Sequence, residues 1–165
     1  MLDSIPSNSR VLDVGCGSGR FTHIASTKAR EVISIDHNSK HFSNVNFSAL
    51  NVKAIEYDIN DDFLVLGKFD LVLLIHILEH IDDPKSLLVK LSRVTENLII
   101  EVPDRESDPL NWVRIKLEMD YSSDHDHVRE YSLALLEREL RETGWQIHSK
   151  EKKGASILVF AGRII

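Results

Sequence analysis

Val11-Leu12-Asp13-Val14-Gly15-Cys16-Gly17-Ser18-Gly19 decides the fold. An apolar run of strand character enters a glycine-rich turn, and the turn opens a segment in which Phe21, Ile24, Ala25 and Lys28 fall on one helical stripe. Glycine lets a backbone turn through positive φ and come close to a ligand. A strand, a glycine turn and a helix in that order form the first unit of a nucleotide-binding α/β domain. Gly-x-Gly alone also fits a tight turn with no ligand, so the surrounding sequence has to decide.

Outward from that stretch, short apolar runs at residues 10–14, 32–35, 52–56, 69–75 and 97–102 alternate with helical segments. Several runs are apolar on both faces, as strands covered by helices on both sides must be. Asp83-Pro84 starts a helix carrying Leu87, Leu88, Leu91 and Val94. Residues 38–46 read as a short helix with Phe42 and Val45 as its spaced apolar pair. Leu133, Leu136 and Leu140 form a stripe ended by Gly144, and residues 145–149 and 156–161 are two strands around a Lys-Lys-Gly turn. The reading is an α/β fold: a mostly parallel sheet, helices on both faces and a C-terminal antiparallel hairpin.

The 165 residues, 42% hydrophobic and 28% charged, suit a single domain over residues 1–165. A formal charge of -6 gives no general attraction to nucleic acid or to an anionic membrane. No apolar run approaches the roughly 20 residues of a membrane helix, and a single cysteine, Cys16, excludes an internal disulfide and a Cys-cluster zinc site. A soluble, cytoplasmic protein is expected. Cys16 lies inside the glycine turn with no identifiable partner base, so no nucleophilic role is assigned to it.

The ligand can be narrowed. A dinucleotide loop of the form G-x-G-x-x-G would carry its third glycine at position 20, but Arg20 stands there and Gly19 precedes it. That weakens a nicotinamide oxidoreductase. Asp36 ends the second strand about 20 residues after the loop, where a carboxylate accepts hydrogen bonds from both hydroxyls of a ribose. An adenosine-containing ligand fits.

These residues resemble the class I S-adenosylmethionine-dependent methyltransferases over nearly the whole chain. The loop 11–19 is similar to that family's first motif, and Phe69-Asp70-Leu71-Val72 with Leu78-Glu79-His80 is similar to its fourth-strand signature. The resemblance implies a Rossmann-like seven-stranded sheet and S-adenosyl-L-methionine as cofactor, leaving S-adenosyl-L-homocysteine as product. It implies Asp36 on the ribose, Asp58 on the adenine side, and further cofactor contacts from Asp13, Gly15, Cys16, Gly17, Gly19, His37, Ile59 and Ile75. Many members carry one or two helices before the first motif, whereas ten residues precede Val11 here.

Within the family the chain is similar to the ubiquinone-pathway O-methyltransferases and the small-RNA 2'-O-methyltransferases. Those groups hold a divalent metal with Glu-x-x-Glu-His and a later histidine. Here Glu79, His80 and His127 match, but His76 replaces the first glutamate. If residues 76–80 turn helical, His76, Glu79 and His80 share one face. A histidine-rich set suits magnesium poorly, so no metal is expected and His127 or His80 is read as a general base, with Glu79, His80 and His127 as the alternative metal ligands. The expected acceptor is a hydroxyl of a small molecule or glycan. The long segment 103–131, with a helix starting at Asp108-Pro109 and with Trp112, Met119 and Tyr121, is read as an insertion facing it. The competing reading is a non-catalytic domain of the same fold that binds a partner.

Overall fold

The computed structural model describes residues 5–43, 47, 51–107, 109–117 and 126–164, with only the backbone of 109, 112 and 115. Among the described residues seven strands are present: β1 Arg10–Val14, β2 Glu31–Asp36, β3 Val52–Glu56, β4 Leu71–Ile75, β5 Asn97–Pro103, β6 Trp145–Lys153 and β7 Ser156–Arg163. They form one sheet in the order β3-β2-β1-β4-β5-β7-β6. β7 runs against both neighbours, and the other strands share one direction. Four α-helices accompany the sheet, α1 Arg20–Ser26, α2 Pro84–Leu91, α3 Pro109–Lys116 and α4 Leu133–Glu142. The Rossmann-like sheet and its closing hairpin are as expected.

Alternating side chains divide the core into two layers. Leu12, Val14, Ile33, Ile35, Val72, Leu74, Leu98 and Ile100 pack with Leu87, Leu88 and Leu91 of α2 and Leu136 and Leu140 of α4. Val11, Val32, Leu71, Leu73 and Ile99 face the other way, in one cluster with Ala25 of α1 and Ala29 just beyond it. β4 is buried on both faces, which explains why its sequence, Leu-Val-Leu-Leu-Ile, shows no alternation.

The direction of winding changes between β1 and β4: β1 leads through α1 to β2 on one side, and β4 leads through α2 to β5 on the other. Ligands of open α/β sheets bind outside the carboxyl ends of strands at such a switch point. Val14 pairs with Leu74, so Gly15 and Ile75 leave the sheet side by side.

Three local expectations are corrected. Residues 38–46 do not form the expected helix: a single 3-10 turn covers Ser39–His41, because Asn38 caps Lys40 N–H through its side chain, and residues 44–46 lie outside the described residues. β4 begins at Leu71 rather than at residue 69, since the Phe69 N–H is taken by the Val94 carbonyl at 2.8 Å. The hairpin is longer than its apolar part, reaching Lys153 and Arg163, because an edge strand tolerates charge on both faces. No described helix is long and apolar enough to cross a membrane.

Candidate active site

The glycine turn follows β1 directly. The Gly15 and Cys16 N–H groups both donate to the Ile35 carbonyl, at 2.8 and 3.0 Å, which ties the turn to the end of β2. Gly15 has φ +70°, which favours glycine, and a Cβ there would stand 2.5 Å from Ile77 Cδ1 and push that side chain aside. Gly17 has φ +50° with open space where a Cβ would be. Its N–H donates 2.9 Å to Asp36 Oδ2. The loop and the acid predicted from their spacing are therefore hydrogen-bonded to one another.

Asp36 is 5% exposed. Its Oδ1 accepts from Asn38 N–H at 3.1 Å and lies 2.9 Å from His41 Nδ1 and 3.2 Å from His37 Nδ1. Ile75 closes β4 beside the turn and is buried. Asp58 does not join this cluster: it is exposed, and its Oδ1 caps the next turn by accepting Asn60 N–H at 2.8 Å. Tyr57 N–H bonds the Asp36 carbonyl at 2.8 Å, so Asp58 and the half-buried Ile59 leave the sheet next to the Asp36 end of β2.

Asp13 lies beneath the loop, buried, with the Thr22 hydroxyl donating 2.6 Å to its Oδ2 and the Ser34 hydroxyl donating 3.0 Å to Thr22. Burial pushes its carboxyl up to about 6; the Thr22 bond opposes that and the Asp36 charge adds to it. The same burial, with Asp13 and Asp36 nearby, pushes the Cys16 thiol up to about 12, in keeping with an inert side chain. The folded value for Asp13 lies above the ordinary 3.8. Its contribution to stability is thus fully present below that lower value and is lost as pH rises through about 6, leaving an ionised group that costs about 3 kcal/mol. Asp13→Asn removes that cost and weakens the Thr22 bond by about 1 kcal/mol. Urea unfolding at pH 8 is expected to show the variant about 2 kcal/mol more stable, with the gain gone near pH 4. Equal stability at pH 8 would mean that Asp13 is solvated.

The second cluster forms where β4 ends. The condition for a shared helical face of His76, Glu79 and His80 is not met: His76 has φ +53°, its N–H still bonds the Glu101 carbonyl at 2.8 Å, and a single 3-10 turn, Leu78–His80, follows. His76 Nδ1 sits 3.3 Å from Glu79 Oε1 and its Nε2 lies 3.5 Å from Glu101 Oε1, and these carboxylates push its pKa up. Glu79, His80 and His127 do converge, each with a ligand atom within 4.8 Å of the others. The His80 and His127 rings meet edge to face at 4.9 Å. His80 Nδ1 is 3.0 Å from the Asp126 carbonyl, which can only accept, so the proton of neutral His80 is on Nδ1 and the lone pair on Nε2. His127 Nδ1 is 3.2 Å from Glu130 Oε1. Glu79 is 2% exposed, and its Oε2 has no hydrogen-bond partner among the described residues. The donor set, one carboxylate and two imidazoles, fits a nitrogen-accepting cation of the zinc class better than magnesium.

The return of the segment 103–131 is fastened at this place. The Glu79 carbonyl accepts N–H bonds from Val128 at 3.0 Å and Arg129 at 3.3 Å, while Arg105 N–H donates 2.9 Å to the Tyr131 carbonyl and closes the base of the segment. Arg129 Nη1 pairs with buried Glu139 Oε1 at 2.9 Å, and the Tyr131 hydroxyl donates 2.9 Å to Glu139 Oε2. Asp124, His125, Met119, Tyr121 and the Trp112 side chain lie outside the described residues. A recess of about 390 Å³, with Ile59, Asn60, His80, Ile81 and Lys90 in its wall, runs from the Ile59 side to His80.

Residues 1–150 match the family model described as "Methyltransferase domain". The chain belongs to that family. A curated relative, the O-antigen chain terminator bifunctional methyltransferase/kinase WbdD of Escherichia coli, is 32% identical over 117 residues, which are 62% of this chain and 16% of that protein. Among solved structures, the small RNA methyltransferase HEN1 is similar with a TM-score of 0.78 at 18% identity, over 98% of this chain and 24% of that one. The N-terminal domain of EvdMO1, solved in the presence of SAH and D-fucose, gives 0.70 at 19% identity, over 98% and 78%. A SAM-dependent methyltransferase from Aquifex aeolicus gives 0.71 at 21%, over 96% and 84%. The methyltransferase thus has the fold of the S-adenosylmethionine-dependent class. The sequence reading missed two features of its site. One is His41 against Asp36, inside a segment read as a weak helix. The other is Glu139, whose charge on the buried face of α4, between Leu136 and Leu140, was the available signal.

Proposed function

We propose that this methyltransferase moves a methyl group from S-adenosyl-L-methionine to a hydroxyl of a small molecule or glycan, with His127 or His80 receiving the hydroxyl proton. The observation that carries the reading is the contact of Gly15 with Ile77, which sets the turn bearing Glu79 and His80 directly against the glycine loop. The sugar-related relatives support the acceptor class: one is an O-antigen chain terminator and another was solved with D-fucose.

S-adenosylmethionine supplies an electrophilic methyl on a sulfonium. The glycine loop and Asp36 hold the adenosyl part, with Asp13, Cys16, His37, Asp58, Ile59 and Ile75 around it. As the acceptor oxygen bonds the methyl carbon and the carbon–sulfur bond breaks, the hydroxyl proton passes to an imidazole Nε2. Glu130 against His127 Nδ1 orients that ring and stabilises its protonated form. Alignment and exclusion of water supply much of the remaining catalysis. On this reading the described ends of the segment, residues 103–107 and 126–131, face the acceptor, and hydrogen exchange there should slow when acceptor and S-adenosylhomocysteine bind together.

Calorimetry tests the cofactor half. S-adenosylhomocysteine should bind, and Asp36→Ala should weaken it by about 1.5 to 3 kcal/mol, through loss of charge-assisted bonds to the ribose. Unchanged affinity in the variant, or preferential binding of NAD, would remove the assignment.

A further inference from the structure

We propose that Asp36, His37 and His41 form a binding site for a nitrogen-accepting divalent cation of the zinc class, separate from the Glu79, His80 and His127 cluster. The three groups come from one short stretch, the end of β2 and the 3-10 turn after it. Both Nδ1 atoms converge on a single carboxylate oxygen, His41 at 2.9 Å and His37 at 3.2 Å, with the rings edge to face at 5.3 Å. Each residue offers a ligand atom within 4.8 Å of the other two. A tetrahedral zinc ion with bonds of about 2.0–2.1 Å holds its ligands roughly 3.3 Å apart. The two nitrogen–oxygen separations of 2.9 and 3.2 Å already approach that value.

The hydrogen bonding points the same way. Asp36 Oδ1 also accepts the Asn38 N–H at 3.1 Å, so with His41 Nδ1 at 2.9 Å and His37 Nδ1 at 3.2 Å three nitrogens crowd one carboxylate oxygen. A cation bonded to both imidazoles and the carboxylate replaces that contest with three satisfied ligands. Glu56, opposite Asp36 in the β2–β3 register, adds negative charge felt by His37. Both imidazoles are exposed, giving an ion an open route, while the carboxylate stays anchored on the Gly17 N–H. Two imidazoles and one carboxylate select zinc, copper or nickel over magnesium and calcium.

The consequence rests on the reading of Asp36 as the ribose acid: its carboxylate cannot hold the cation and both ribose hydroxyls together, so metal and cofactor exclude one another. The test is calorimetric titration of metal-stripped protein with zinc chloride, in a His80→Ala/His127→Ala background that silences the other imidazole pair. One zinc equivalent should bind, magnesium chloride should give no binding, and adding His41→Ala or Asp36→Asn should each weaken zinc by at least about tenfold. Zinc affinity within twofold of the parent in both variants would overturn the site. The titration repeated with saturating S-adenosylhomocysteine separates the two claims. Loss of the zinc event supports the shared carboxylate. A zinc event that persists beside bound S-adenosylhomocysteine, yet is lost in His41→Ala, keeps the metal site and removes Asp36 from the ribose.

Discussion

His127→Ala should lower the turnover of methyl transfer by about 10²- to 10⁴-fold, the usual effect of removing a positioned general base. The assay uses labelled S-adenosylmethionine and a hydroxylated acceptor found by screening small molecules and glycans. Binding of S-adenosylhomocysteine should be unchanged, because His127 lies on the returning segment and not at the glycine loop. His127 is 9% exposed at its side chain and faces Glu130 through Nδ1, so its orientation is fixed before any acceptor arrives. His80→Ala provides the comparison: the larger loss identifies the proton acceptor, and the smaller one the ring that orients it. Wild-type activity is expected to survive EDTA. Activity lost in EDTA and restored by zinc or magnesium would make Glu79, His80 and His127 metal ligands, and an unchanged rate in both variants would remove the imidazoles from the reaction.

Arg129→Met should destabilise the fold by about 3 to 5 kcal/mol, since removing one partner of a buried ion pair leaves the other charged and uncompensated. Glu139 is 3% exposed, and without the guanidinium the Tyr131 hydroxyl is the hydrogen-bond partner left to its carboxylate among the described residues. Arg129 Nη2 also donates 2.8 Å to the Asp82 carbonyl, so the substitution orphans a second group. Urea unfolding measures the loss. Glu139→Gln added to Arg129→Met should recover part of it, because the remaining group is then neutral. A loss under about 1 kcal/mol would be the behaviour of an exposed pair and would contradict the burial.

The glycine loop and Asp36 were legible because their chemistry is local: positive-φ turns need glycine, and an acid closing the second strand lies at a fixed distance in an α/β unit. The strands of the parallel half were legible for a related reason, as burial on both faces leaves continuous apolar runs. The turn after β4 was not. His76, Glu79 and His80 have helical spacing, but the β5 carbonyl at Glu101 takes the His76 N–H and holds that residue at positive φ, a partner no local pattern reveals. His41 was hidden similarly, since its partner Asp36 matters through space and the intervening residues carry little apolar period. Glu139 could have been questioned on sequence, because a charge on a buried stripe demands a partner, yet nothing in the local pattern points to Arg129 and Tyr131.

The bonds from Val128 and Arg129 to the Glu79 carbonyl, and from Arg105 to Tyr131, make the segment between them a cassette with two fixed attachment points. His80 follows β4 and His127 lies at the returning end of the segment, so the two rings meet across the seam where the segment docks. Because both attachments are made by backbone N–H groups, substitutions that keep the chain's path leave the docking intact. Loss of those bonds has the opposite effect, since a segment that no longer docks at Glu79 carries His127 away from His80.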